Sequence, residues 1–208
     1  MSLRQIIPLF SSEAACSCRL IKIIGYPSKN FSGKTKKIPT KESDKIDTIN
    51  PYSLTKFLGE ELVIKYAKLY NMPNISCRFF NVYGPRLNSK GKYGAVFSIF
   101  LKQKKTNKPL TIVGNGRQTR DFIHVDDLIN AFFKIMKSNK KNKIYNLGTG
   151  KETSINKIAS LIGGKKIFIS EIPGETKRSC ANISMICKDI NWRPKIAISE
   201  GIKKLLNN

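Results

Sequence analysis

The sequence is poor in acidic residues and poorer still in histidine. Fourteen Asp and Glu stand against 38 Lys and Arg, giving a formal charge of +24 over 208 residues, and the one histidine is His124. A lone histidine excludes a His-cluster metal site. The five cysteines (Cys16, Cys18, Cys77, Cys180 and Cys187) are odd in number, and Cys16-x-Cys18 has no second pair to complete a metal site. They read as reduced thiols, and no metal is expected. Long apolar runs are also missing: none approaches the roughly 20 residues that span a bilayer. The opening Met1-Ser2-Leu3-Arg4-Gln5-Ile6-Ile7-Pro8 is too short and broken for a secretory core. No membrane partner is expected, and a cytoplasmic location follows by default. Glycine is scarce in the first quarter, where Gly25 and Gly33 alone precede Tyr52. No glycine-rich phosphate loop can be placed there.

The excess of lysine raises polyanions as partners. Its distribution argues against them. Lys34, Lys36, Lys37, Lys102, Lys104, Lys105, Lys137, Lys140, Lys141 and Lys143 are spread through turns and helix surfaces, with no recognition module and no aromatic-interleaved basic face. A solvated lysine surface is the simpler reading, so nucleic acid is not expected as a partner. The same field would draw in a small anionic substrate.

The chain is 40% hydrophobic, enough for one core and a small second lobe. Residues 9–19 read as the later part of a helix. Leu20–Ile24 reads as a short strand, left through a Gly25–Asn30 loop. Residues 33–50 are polar and loop-like. Pro51 then opens a helix on which Phe57, Leu58, Leu62, Tyr66 and Ala67 recur at helical spacing, until Asn71-Met72-Pro73 stops it. The strand Ile75–Phe80 follows. Strand, helix, strand in this order predicts a βαβ unit of a parallel sheet, with ligands beyond the carboxyl ends of the strands. Asn81–Arg86 reads as a turn-rich segment, Ala95–Lys105 as a helix and Leu110–Val113 as a strand. Arg117–Asp127 runs into a helix with Leu128, Ala131, Phe132 and Ile135 on one face. Ile144–Leu147 is another strand, and Ser154 a helix N-cap.

Tyr52 and Lys56 are four apart and share a face of the Pro51 helix. A nearby ammonium favours a phenolate, and a phenol so tuned moves protons near neutral pH. Alone, Tyr-x-x-x-Lys is a common surface pairing. Four more segments stand in order after it: Arg78-Phe79-Phe80-Asn81-Val82-Tyr83-Gly84-Pro85-Arg86, Gly114-Asn115-Gly116-x-x-x-Arg120-Asp121-Phe122-x-x-Val125-x-Asp127, Tyr145-Asn146-Leu147-Gly148-x-Gly150 and Asn191-Trp192-x-Pro194. Together they resemble the extended short-chain dehydrogenase/reductase family, in particular its NAD-dependent nucleotide-sugar epimerases and dehydratases.

The resemblance implies Tyr52 as proton-transfer group, Lys56 on the nicotinamide ribose and Ser28 as catalytic serine. It implies Phe80 as a nicotinamide contact and Asn81 as a ligand of the sugar nucleotide. Arg120 matches the residue that grips the diphosphate, a role suited to a guanidinium fork. Ala95 and Val96 match the helix start over the nucleotide, and Thr111, Ile112 and Val113 the strand beside the base. Ile172 stands where an arginine often occurs, leaving Lys177 or Arg178 as stand-in, and Asn182 stands where an acid is usual. The implied cofactor is NAD and the implied substrate a nucleotide sugar, a UDP-hexose.

The fold class expected is α/β, an incomplete Rossmann-type parallel sheet carrying the C-terminal half of that fold, with a small α/β substrate-binding lobe. Residues 1–85 would form the partial NAD-binding domain. Residues 86–208 would form mainly the nucleotide-sugar lobe, with 110–147 returning in part to the first. The resemblance favours a UDP-hexose 4-epimerase: Tyr52 takes the proton of the sugar 4-hydroxyl as hydride passes to NAD, and the ketose is reduced from its other face. Lys29 and Asn30 after Ser28 supply no carboxylate pair for dehydration. A dehydratase, decarboxylase or reductase of the same family, and a non-catalytic nucleotide-sugar-binding fragment, stay open as alternatives. Because the glycine-rich strand–loop–helix is missing from these residues, the 208-residue chain is expected to bind NAD negligibly alone. Its implied partners are a second copy or a complementing N-terminal fragment.

Overall fold

The computed structural model describes residues 20–24, 38–46, 48, 51–85, 96–171 and 176–207. A parallel sheet in the order β1 (Leu20–Ile24), β2 (Asn74–Phe79), β7 (Lys143–Leu147) carries one half of the molecule, with Ile24 opposite Arg78 and Phe79 opposite Leu147. Helix α1 (Pro51–Leu69) connects β1 to β2, as the strand–helix–strand order predicted. Every residue of β2 is buried, as befits a central parallel strand covered on both faces. The core here gathers Ile75, Cys77, Phe79, Tyr145, Leu147 and Trp192 with Leu128, Ala131 and Ile135 of helix α3 (Val125–Lys137) and Ile186 of α5 (Ser184–Ile190).

A second core lies between helices and short strand pairs. Phe97 and Phe100 of α2 (Val96–Lys105), Leu110 and Ile112 of β4 (Leu110–Val113), Ile155, Ile158, Ala159 and Ile162 of α4 (Ile155–Ile162) and Ile202 of α6 (Ile198–Leu206) close on Tyr83 and Phe122. Three pairs of strands edge it. These are β3 (Asn81–Tyr83) with β6 (Phe122–His124), β4 with β9 (Lys166–Ile169), and β5 (Thr119–Arg120) antiparallel to β8 (Thr153–Ser154).

Three sequence expectations change. The turn-rich 81–86 segment begins as strand β3, because Tyr83 is buried against Phe97 and Val82 packs on the sheet core. The run before the α3 helix is also partly strand, β5 and β6, where Phe122 and Ile123 are buried. The larger correction concerns α1. Of the residues recurring at helical spacing, Leu58, Leu62 and Tyr66 are exposed, Phe57 is half-buried and Ala67 is buried, in a stripe with Ser53, Glu60 and Val63. The helix has two non-polar stripes, and the more polar one faces the sheet.

Local signals at helix ends held. Asn71 takes a left-handed conformation (φ 49°) and the Met72 N–H reaches the Ala67 carbonyl at 2.8 Å, the Schellman closure that ends α1. Ser154 caps α4 by accepting from the Lys157 N–H at 3.2 Å. His124 caps α3, its Nδ1 accepting from the Asp126 N–H at 3.2 Å. No described helix is long and apolar enough to cross a membrane.

Candidate functional site

The carboxyl ends of β1, β2 and β7 point toward the start of α1, and this places Tyr52 and Lys56 at that edge of the sheet. Tyr52 is 44% exposed and Lys56 half-buried, with the Lys56 Nζ 5.3 Å from the Tyr52 ring centroid. The ammonium therefore lies against the ring. Partial burial raises the Tyr52 pKa above its ordinary value, where the sequence had predicted a fall caused by Lys56. Ser28 and Ala95 lie outside the described residues.

Immediately beyond β2, the Phe80 N–H donates to the Leu147 carbonyl at 3.0 Å, and Phe80 is half-buried. Asn81 is fastened twice to the Asp121 carbonyl, from its backbone N–H at 3.0 Å and from Nδ2 at 3.1 Å. That ties Asn81 to the turn carrying Arg120. Arg120 is buried at 3% exposure, and its Nη1 donates to the Thr119 carbonyl at 2.8 Å.

Asp121 is the hub of this turn. Its carboxylate accepts from the Thr149 N–H (2.7 Å), the Thr149 hydroxyl (2.6 Å), the Gly150 N–H (2.9 Å) and the Ala181 N–H (3.0 Å). Burial pushes its pKa up against the pull of those donors. A Cβ on Gly148 would come within 2.7 Å of both Asp121 Oδ2 and the Ala181 Cβ, so only glycine allows this approach. Asp127 plays a similar part for the C-terminal segment, accepting from the Lys195 and Ile196 N–H groups at 3.0 and 2.9 Å.

A cleft of about 200 Å³ opens beside this turn, lined by Val113, Asn115, Arg117, Gln118, Lys177 and Arg178 among others. Strand alternation sorts the three β4 candidates. Val113 reaches the cleft, whereas Ile112 is fully buried in the second core and Thr111 is locked to Gln103, whose amide nitrogen donates to the Thr111 hydroxyl at 2.7 Å. The Ile112 side chain packs among core residues, which leaves its backbone as the part available along the strand edge. Val96 is half-buried against the same core. Arg178 is exposed and its Nε donates to Glu152 at 3.0 Å, while Nη2 makes a second, short contact with the other oxygen. The guanidinium's hydrogen bonds hold Glu152 below the ordinary carboxylate range, and the Glu152 carboxylate raises Arg178 in turn.

Several residues of this region carried no assigned role in the sequence. Buried Glu60 meets Arg78 in a two-pronged ion pair, Nε to Oε2 at 3.0 Å and Nη2 to Oε1 at 2.7 Å, and Arg78 Nη1 donates to the Glu42 carbonyl at 2.9 Å. The Glu42 side chain accepts from the Asn146 N–H at 2.9 Å. Glu60 follows Lys56 by four, and that continued i,i+4 spacing was the signal available. Burial pushes the Cys77 and Cys180 thiols up to about 12, far from the thiolate a nucleophile needs.

A parallel sheet with a Tyr-x-x-x-Lys helix at its carboxyl edge, beside a second core with a basic cleft, is a Rossmann-like α/β arrangement. The sequence model of the NAD dependent epimerase/dehydratase family matches residues 12–148, and the chain belongs to that family. Among curated relatives, a putative UDP-glucose 4-epimerase of Methanocaldococcus jannaschii is 38% identical, over 84% of this chain and 58% of its own. Relatives also include a UDP-glucuronic acid decarboxylase of Xenopus tropicalis (32% identical, 75% of this chain and 38% of that one). A human dTDP-D-glucose 4,6-dehydratase is 29% identical, over 93% of this chain and 58% of that one. Among solved structures, the Thermotoga maritima UDP-glucose 4-epimerase with UDP-glucose superposes with a TM-score of 0.83 at 25% identity, covering 90% of this chain and 62% of that one. A Bacillus cereus UDP-glucuronic acid 4-epimerase in complex with UDP-glucuronic acid and NAD gives 0.80 at 30%, covering 91% and 60%. The chain spans about 58–60% of the length of the first curated relatives it matches.

Proposed function

We propose that this chain carries the proton-transfer pair and the sugar-nucleotide lobe of an NAD-dependent nucleotide-sugar 4-epimerase acting on a UDP-hexose. The observation that carries the reading is the placement of Tyr52 and Lys56 at the carboxyl edge of the sheet, on the same side as Asn81. Epimerases bearing UDP-sugars are among the structures with the same fold.

The half-buried Lys56 and Phe80 at this edge fit the nicotinamide-ribose end of a dinucleotide, which needs a cation or donor for its hydroxyls and an apolar wall for its ring. NAD, when bound, supplies the hydride acceptor and donor. Tyr52 takes the proton from the sugar hydroxyl and later returns one, Lys56 orients and charges the site, and Ser28 shares the hydroxyl's hydrogen bond. Asn81 and Arg120 hold the sugar nucleotide, with Lys177, or Arg178 once released from Glu152, reaching its phosphates. The base sits along Val113, Thr111 and Ile112, with backbone groups serving at the last, and Ala95 and Val96 cover it. In this reading residues 1–85 serve the cofactor and 86–208 mainly the sugar nucleotide, with 110–147 shared. The exposed Leu54, Leu58, Leu62 and Tyr66 stripe on α1 suits a second copy of the chain.

The test is product analysis. The reconstituted enzyme with NAD and UDP-glucose or UDP-N-acetylglucosamine is expected to give the 4-epimer. A 6-deoxy-4-keto product would assign a dehydratase instead. A second reading, a nucleotide-sugar-binding lobe without turnover, is favoured by the cleft being lined by Arg117, Lys177 and Arg178 and by neither Tyr52 nor Lys56.

A further inference from the structure

On α1, Lys56 stands midway between two neighbours, Tyr52 one turn before it and Glu60 one turn after. A carboxylate four residues after a lysine lies within reach of its ammonium, and one that is 1% exposed costs free energy unless a cation pairs with it. Arg78 meets that need first. Its Nε and Nη2 take both Glu60 oxygens at 3.0 and 2.7 Å, and its third nitrogen is anchored on the Glu42 carbonyl. Arg78 is itself fixed within β2, opposite Ile24 and Asn146. Lys56, meanwhile, lies over the Tyr52 ring.

We propose that Arg78 is a positioning residue for the Tyr52–Lys56 pair: by occupying both oxygens of Glu60 it keeps that carboxylate from capturing Lys56. The inference rests on the reading above that Tyr52 and Lys56 act together. Glu60 in turn supplies the carboxylate that pairs with the Arg78 guanidinium beneath the helix.

The contact itself supplies a readout independent of turnover. An ammonium chain lying over an aromatic ring has its ε-methylene protons shifted upfield by the ring current. In the chain labelled with ¹³C-lysine, the Lys56 signal is assigned by its loss in Lys56→Arg, and folding is followed by far-ultraviolet circular dichroism. The upfield shift is expected in the unsubstituted chain and in Glu60→Gln. It is expected to be lost in Arg78→Gln, where Glu60 captures Lys56, and restored in the double variant Glu60→Gln/Arg78→Gln. Should Arg78→Gln fail to fold, Arg78→Lys, which keeps the charge but not the fork, is expected to lose part of the shift. An unmoved signal in the folded Arg78 variant overturns the proposal, as does a double variant no better than the single one, since a merely structural Arg78 gives no restoration. A chain that folds but epimerises no sugar leaves this result standing and refutes only the proposed reaction.

Discussion

Helices α1 and α4 obey opposite rules. In α4, Ile155, Ile158, Ala159 and Ile162 face the second core and the polar residues face out, as an amphipathic surface helix should. In α1 the sheet-facing positions include Ser53 and Glu60, while Leu54, Leu58, Leu62 and Tyr66 lie exposed. The difference reflects what each helix does. α4 serves only to close a core, and hydrophobic burial suffices. In the proposed function α1 also presents Lys56 and Tyr52 at the sheet edge. Its inner stripe joins a buried ion pair to Val63 and Ala67, and Leu54, Leu58, Leu62 and Tyr66 form a second surface.

The sharpest way to break this contrast is to remove charge from α1. Glu60→Ala leaves Arg78 buried without its partner and is expected to cost about 3–5 kcal/mol, measured by urea unfolding. In α4, Ile158→Ala should cost about 2–5 kcal/mol through lost burial and a residual cavity, with no charge involved. If Glu60→Ala proved neutral, the ion pair would not be what holds α1. Leu62→Ser, on the exposed stripe, should change the chain's own stability by less than about 0.5 kcal/mol. It should nonetheless weaken self-association in sedimentation, and an unchanged association state would remove the stripe from any interface.

The smallest effect lies at the cleft. Glu152 has its pKa lowered by Arg178, so their pair contributes stability above the carboxyl's unfolded value of 4.5, and that contribution is lost as pH falls through the lower folded value. Glu152→Gln should therefore flatten the fall of the thermal midpoint just below pH 4.5. A fall as steep as in the unsubstituted chain would show that the pair contributes nothing.

Much of this was legible in the residues. Pro51, Asn71 and Ser154 marked helix ends because their backbone and capping chemistry is local. The parallel β1–α1–β2 unit followed from element order. The α1 face was misread because spacing reports which residues are apolar, not which stripe a sheet will cover, and α1 has two. Strands β3, β5 and β6 are two or three residues long, too short for an alternation to show, and exist through tertiary pairing. In the site, Tyr52, Lys56, Phe80 and Asn81 lie at the sheet's carboxyl edge. Asp121's role was hidden because its four donors come from Thr149, Gly150 and Ala181, far along the chain. Ile112 was named for ligand contact from the strand as a whole, whereas alternation allots the cleft to Val113.

The most direct test of the central claim is calorimetric titration of UDP-glucose into the chain and its variants. The account predicts binding that falls about 10–100-fold in Arg120→Gln, as expected for loss of a charge-assisted contact, and less than twofold in Tyr52→Phe, where only proton transfer is removed. Equal affinity in Arg120→Gln and the unsubstituted chain, or no binding by a folded chain at all, would contradict it.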